Sequence, residues 1–97
     1  MRVMISQPMN GLTEEQIEKN RAAAVARIQA AGHTVVDSII ADDPPADSNA
    51  GLFYLGRSLQ IMAECDAVLF IEGWEQARGC IIEHIACNGY GIAILES

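Results

Sequence analysis

Gly79 and Glu83 lie four residues apart in the stretch Arg78 to Glu83. On a helix, that spacing places both on one face. A glycine in a first helical turn permits the close approach of a ligand or of another backbone. A carboxylate one turn further in could attack an anomeric carbon, act as a base, or stabilise developing charge. The plainer alternative is a solvated glutamate in an ordinary i,i+4 pattern. Arg78 opens the same segment, where the free N–H groups of a helix start favour anions, so it could hold a phosphate. Alternatively, it forms a surface ion pair with Glu75. Trp74, the only tryptophan, could stack on a base or wedge into the core or a dimer contact. His84 follows Glu83 but points about 100° away around a helix, which makes it a poor direct partner.

A second group of polar residues stands near the start. Ser6, Gln7, Pro8, Met9, Asn10 and Gly11 follow a short apolar run. They could offer the Ser6 hydroxyl and backbone N–H groups to a sugar or a phosphate. The segment lacks the glycine spacing of dinucleotide-binding or P-loop sites. Ser58 could bond a sugar hydroxyl if it faces the same space, or it is simply a residue on a helix surface.

These residues need a frame. Arg2 to Ser6 is short and apolar and reads as a buried strand. Thr13, Glu14, Glu15 and Gln16 form a capping box with acids in the first turn. The helix it opens carries Ile17, Ala24, Ile28 and Ala31 on one side and stops at Gly32. A second strand covers His33 to Ser38. Residues 41–51 form an acidic loop with two prolines, long enough to carry function or to be a solvated excursion. A second helix runs from Leu52 to Glu64, with Leu55, Leu59 and Met62 in register. Ala67 to Ile71 is a central strand. A third helix spans Gln76 to Asn88, capped by Gly89, and Gly91 to Leu95 is the last strand. Strands alternating with helices imply an α/β domain with a parallel sheet and right-handed crossovers. Ligands in such folds sit beyond the carboxyl ends of the strands, at the switch in strand order. The loops leaving those ends are Gln7–Leu12, Ile39–Gly51 and Glu72–Ala77.

Composition narrows the function classes. A chain of 97 residues is a single domain, 1–97, with a thin core that self-association would help. Thirteen acidic against six basic residues give a net charge of −7. That balance argues against a nucleic-acid polymer or an anionic membrane as partner, while leaving room for one small anion on an arginine. Cys65, Cys80 and Cys87 are odd in number and fit no zinc spacing, so a reduced, cytoplasmic protein with no metal site and no cofactor is expected. Met1 to Ser6 does not form a secretory leader, and no apolar run reaches the roughly 18 residues of a membrane span.

The sequence resembles a family. Ile5 to Gly11, Ala31 to His33, Tyr54 to Leu59, Cys65 to Val68, Gly73 to His84, and Tyr90 to Ile92 together look like an uncharacterised family of phages, prophages and bacteria, a domain of unknown function related to nucleoside 2-deoxyribosyltransferases. The resemblance covers essentially the whole chain, most specifically from Gly73 to His84. It implies a three-layer, flavodoxin-like fold with four parallel strands and three helices. In the related transferases, a glutamate four residues after a glycine attacks C1′ of the deoxyribose, a role that Gly79 and Glu83 match. Their first-strand loop helps to hold the nucleoside, as Ser6 to Gly11 would here. Two aspartates of those enzymes are replaced, by Ala77 and by Ser58. The expectation is a small-molecule nucleoside or nucleotide site with N-glycosidase or deoxyribosyltransferase chemistry at Glu83. A sensing module without chemistry, or an interaction protein that keeps only the fold, is the alternative. A homodimer through the second and third helices is also expected.

Overall fold

The computed structural model describes residues 1–96. Four strands, β1 (Arg2–Ser6), β2 (Thr34–Val35), β3 (Ala67–Phe70) and β4 (Ala93–Glu96), form one sheet in the order β2-β1-β3-β4. Every pair is parallel, with Ser6 opposite Phe70 and Phe70 opposite Glu96. Three helices complete the α/β, three-layer arrangement: α1 (Glu14–Ala30), α2 (Ala50–Met62) and α3 (Arg78–Tyr90).

Alternation along the strands divides the core in two. Val3, Ile5, Ala67, Leu69 and Ile71 face Ala24 and Ile28 of α1. Met4, Val68 and Phe70 face the other way, against Met62, Cys65 and Cys87, with Leu59, Trp74 and Ile94 packed at the margin. One helix therefore covers one face, and α2 and α3 cover the other. Ser6 ends β1 on the same side as Met4, so its hydroxyl is aimed into the α2/α3 layer.

Local chemistry sets the helix ends. Thr13 accepts the Gln16 N–H, and the Gln16 side chain accepts the Thr13 N–H, completing the capping box. Asn49 caps α2 through the Leu52 N–H, which starts that helix two residues before Leu52 and shortens the acidic loop. β2 is shorter than His33 to Ser38: beyond Val36, the Asp37 carboxylate takes the Ile39 N–H and turns the chain from the ladder. The third helix is displaced by two residues. A short 3-10 turn at Trp74–Gln76 takes up its expected start, and Gly91 (φ 71°), not Gly89, adopts the left-handed conformation that ends it. Among the described residues no helix is long and apolar enough to cross a membrane.

Candidate functional site

The strand order puts β1 and β3 side by side while the chain leaves them in opposite directions, to α1 and to α3. Their carboxyl ends part there, and the gap between their loops is the topological switch point. The two loops touch: a Cβ at Gly73 (φ 95°) would stand 3.6 Å from Pro8. The Gln7 side chain donates to the Ile17 carbonyl at 2.6 Å and fixes the β1 loop onto α1. Gly11 (φ 81°) is the third residue of the turn closed by the Leu12 N–H on the Met9 carbonyl.

An open cleft of about 820 Å³ lies at this switch point, between the β1 loop, the first half of α2 and the start of α3. Of the residues singled out in the sequence, Gln7, Met9, Asn10, Ser58, Arg78, Gly79 and Glu83 line it. Ser6 lies buried below, 2% exposed, and donates its hydroxyl to Glu83 Oε1 at 3.1 Å. Glu83 is only 8% exposed. Burial raises its pKa from 4.5 to about 7, with the Ser6 hydroxyl opposing the rise. Cys80 sits one turn away on the same side, and burial pushes its thiol up while the Ser6 hydroxyl draws it down.

Gly79 lines the cleft. It is helical, and a Cβ there would project into open space with nothing within 4 Å. No backbone conformation of this protein demands glycine at that position, and a helical glycine costs about 1 kcal/mol relative to alanine. The space is free for a ligand. Arg78 makes no ion pair among the described residues, so the expected alternative with Glu75 is not formed; Arg57 pairs with Asp42, at 2.6 Å. The Arg78 guanidinium lies across the start of α2, 3.6 Å from where a Gly51 Cβ would be. Ala77 gives α3 no side-chain cap, so the first N–H groups of the helix remain available beside that arginine.

Besides Ser6, which lies beneath the cleft, three of the expected residues do not line it. Pro8 packs on Gly73, Gly11 shapes the turn, and Trp74 stacks on the His84 ring (centroids 4.1 Å apart, 5° between planes), with Phe70 behind both. Of the roles open to Trp74, these rings make the core contact. A separate hollow of about 530 Å³ lies between the end of α1 and β4, lined by Arg27, His33, Leu95 and Glu96 among others. It sits away from the switch point, and its arginine is bonded to the Glu96 carbonyl.

The family model of a domain of unknown function, DUF4406, matches residues 1–96. The chain belongs to the DUF4406 family. No curated protein and no solved structure matches it. In this DUF4406 domain the cleft also has walls that the sequence left unmarked: Asn49, Leu52, Tyr54, Cys80 and Ile82. Asn49 carries a readable signal, an N-cap residue three positions before Leu52. Cys80 carries none, since a buried thiol reads as a small hydrophobe. Among the described residues no group of three or more His, Cys, Asp or Glu is placed to hold a metal ion.

Proposed function

We propose that the cleft receives a nucleoside or nucleotide and that Glu83 acts at the bond between sugar and base. The observation that carries this reading is Glu83 itself, a buried carboxyl on the floor of an open cleft, held by Ser6 and titrating at about 7. A poorly solvated carboxylate of this kind is poised as a nucleophile. The resemblance to nucleoside 2-deoxyribosyltransferases, on the Gly79 and Glu83 spacing, supplies the reaction type. A Glu83 oxygen bonds to C1′, the bond from C1′ to the base nitrogen breaks, and the base leaves with the electron pair and takes a proton from water. A water molecule then cleaves the glycosyl ester, releasing the sugar and restoring the carboxylate; a second base in place of that water gives transfer. Gly79 gives the sugar room, and Asn10 and Ser58 offer it polar groups. Met9, Leu52, Tyr54 and Ile82 provide apolar walls for the base, and Arg78 with the open start of α3 suits a phosphate.

One observation favours a second reading, a module that binds a nucleotide without chemistry. Glu83 is the only carboxylate among the cleft-lining residues, whereas glycosidases typically set two carboxylates against one bond. Incubation with a pool of deoxynucleosides and their monophosphates separates the readings, with released base followed by chromatography and Glu83→Ala as control. Base released by the wild type alone supports catalysis. No release, with a pool member still raising the melting temperature, supports the binding module. Neither effect removes both.

A further inference from the structure

The helices that shape the cleft carry an outer surface that the single chain leaves uncovered. Of the thirteen residues of α2, only Met62 is buried. Its first half runs Leu52, Phe53, Tyr54, Leu55, four large apolar side chains in succession that point around most of the helix. None of them is buried, and Leu52 is 64% exposed. A helix half so broadly apolar belongs against another element. On α3, Ile81, Ile82, Ile85 and Gly89 share the side opposite the buried Cys80, Glu83 and Cys87, and Ile85 is 63% exposed. Gly89 is helical, and a Cβ there would meet nothing within 4 Å. Nothing inside the chain uses the missing side chain, but its absence lets another backbone come close.

Charge identifies the occupant. The chain carries −7, yet α2 has no carboxylate and the only one on α3, Glu83, is buried. Every other acidic residue lies outside these two helices. Copies of so acidic a chain repel one another, and over α2 and α3 they can meet with few carboxylates facing each other, the loop residue Asp42 that reaches α2 being paired with Arg57. Charge-depleted, apolar surface of this kind is what the centre of an interface requires. A stable interface takes about 800 Å² per partner, roughly an eighth of the 6233 Å² that this chain exposes. Two helices each about 20 Å long supply a surface of that extent.

We infer that a second copy of this chain seats on the α2/α3 layer as a two-fold dimer, each copy offering the same patch. Leu52, Tyr54 and Ile82 belong to this layer and also line the cleft. The second copy therefore covers part of the open side of the cleft, whatever chemistry occurs within it.

Sedimentation velocity on the full chain at micromolar concentration tests the inference. The expected mass is twice the 10.5 kDa of one chain. Ile85→Glu, outside the cleft, places a carboxylate from each copy in apolar contact and weakens the dimer by at least about 100-fold, with an unchanged circular dichroism spectrum. Ile81→Lys repeats the test should Ile85→Glu fail to fold. Ala22→Glu, on the exposed side of α1, leaves the dimer intact. A monomeric wild type, or folded Ile85→Glu and Ile81→Lys proteins that dimerise as the wild type does, overturns the inference.

Discussion

Replacing Glu83 with glutamine tests the placement of its carboxyl independently of any substrate. In the folded chain, burial moves this group from 4.5 to about 7. Below 4.5 it is protonated whether the chain is folded or not, so it has no effect on the pH dependence there. Between 4.5 and about 7 the folded state holds the proton and the unfolded state has released it, so stability falls as pH rises; above 7 the loss is complete. Each pH unit in that window is worth about 1.4 kcal/mol, so the loss sums to about 3 kcal/mol, a large part of the 5–15 kcal/mol that holds a domain together. The amide of glutamine is never ionised and can keep the Ser6 contact. Urea unfolding of wild type and Glu83→Gln, at about pH 5 and about pH 8, isolates the effect because all other titrating groups are shared. The variant is expected to gain on the wild type by about 2–3 kcal/mol between the two conditions, which corresponds to a shift on the order of 10–20 °C in melting temperature. A gap between the proteins that is the same at both pH values would refute the argument, since it would mean that the carboxyl is hydrated in the folded state.

Three further outcomes follow from the same geometry. Ser6→Ala removes the hydroxyl that favours the charged form of Glu83; base release, expected to rise through pH 7 in the wild type and then level off, should reach its plateau at higher pH in the variant. Gly79→Ala should raise stability by up to about 1 kcal/mol through helix propensity, while the added methyl enters the cleft and abolishes the shift in melting temperature produced by the best ligand of the pool. Trp74→Ala should cost about 2–4 kcal/mol by urea unfolding through the lost contact with His84 and Phe70, with ligand affinity measured by calorimetry changing less than threefold.

Features set by neighbours in sequence were the legible ones. Thr13 and Gln16 announce the start of α1 because a capping box closes within four residues. The apolar runs at Arg2 to Ser6 and Ala67 to Ile71 announce central strands because both faces are covered. Gly79 and Glu83 could be paired because helical periodicity places residues four apart on one face. The expected boundaries failed where distant contacts compete with local preference. Gln76, expected to open the helix, closes a 3-10 turn that begins at Trp74, whose ring packs against Phe70 and His84, and α3 starts later as a result. Gly89 and Gly91 are equally able to end a helix, and the hydrogen bond from the Gly91 N–H to the Cys87 carbonyl marks the second as the stop. In the cleft, Tyr54 and Ile82 were hidden because an apolar residue on a helix reads the same whether it faces a core, a ligand or a partner.

The two sides of the sheet differ mechanically. Against α1 the packing is mostly Val, Ile and Ala, and β-branched side chains have little torsional freedom. Toward α2 and α3 the buried set includes Met4, Met62, Cys65 and Cys87, with the Cys87 and Met62 sulfurs 3.9 Å apart. Sulfur side chains are polarisable, and methionine is unbranched and refits irregular gaps at low cost. The sheet is thus braced on its rigid side and cushioned on its yielding side, and the yielding side holds the cleft. Small shifts of α2 or α3 about an incoming molecule would be absorbed by rotations around methionine side-chain bonds, leaving the β1 and β3 strands, and with them Ser6, in place.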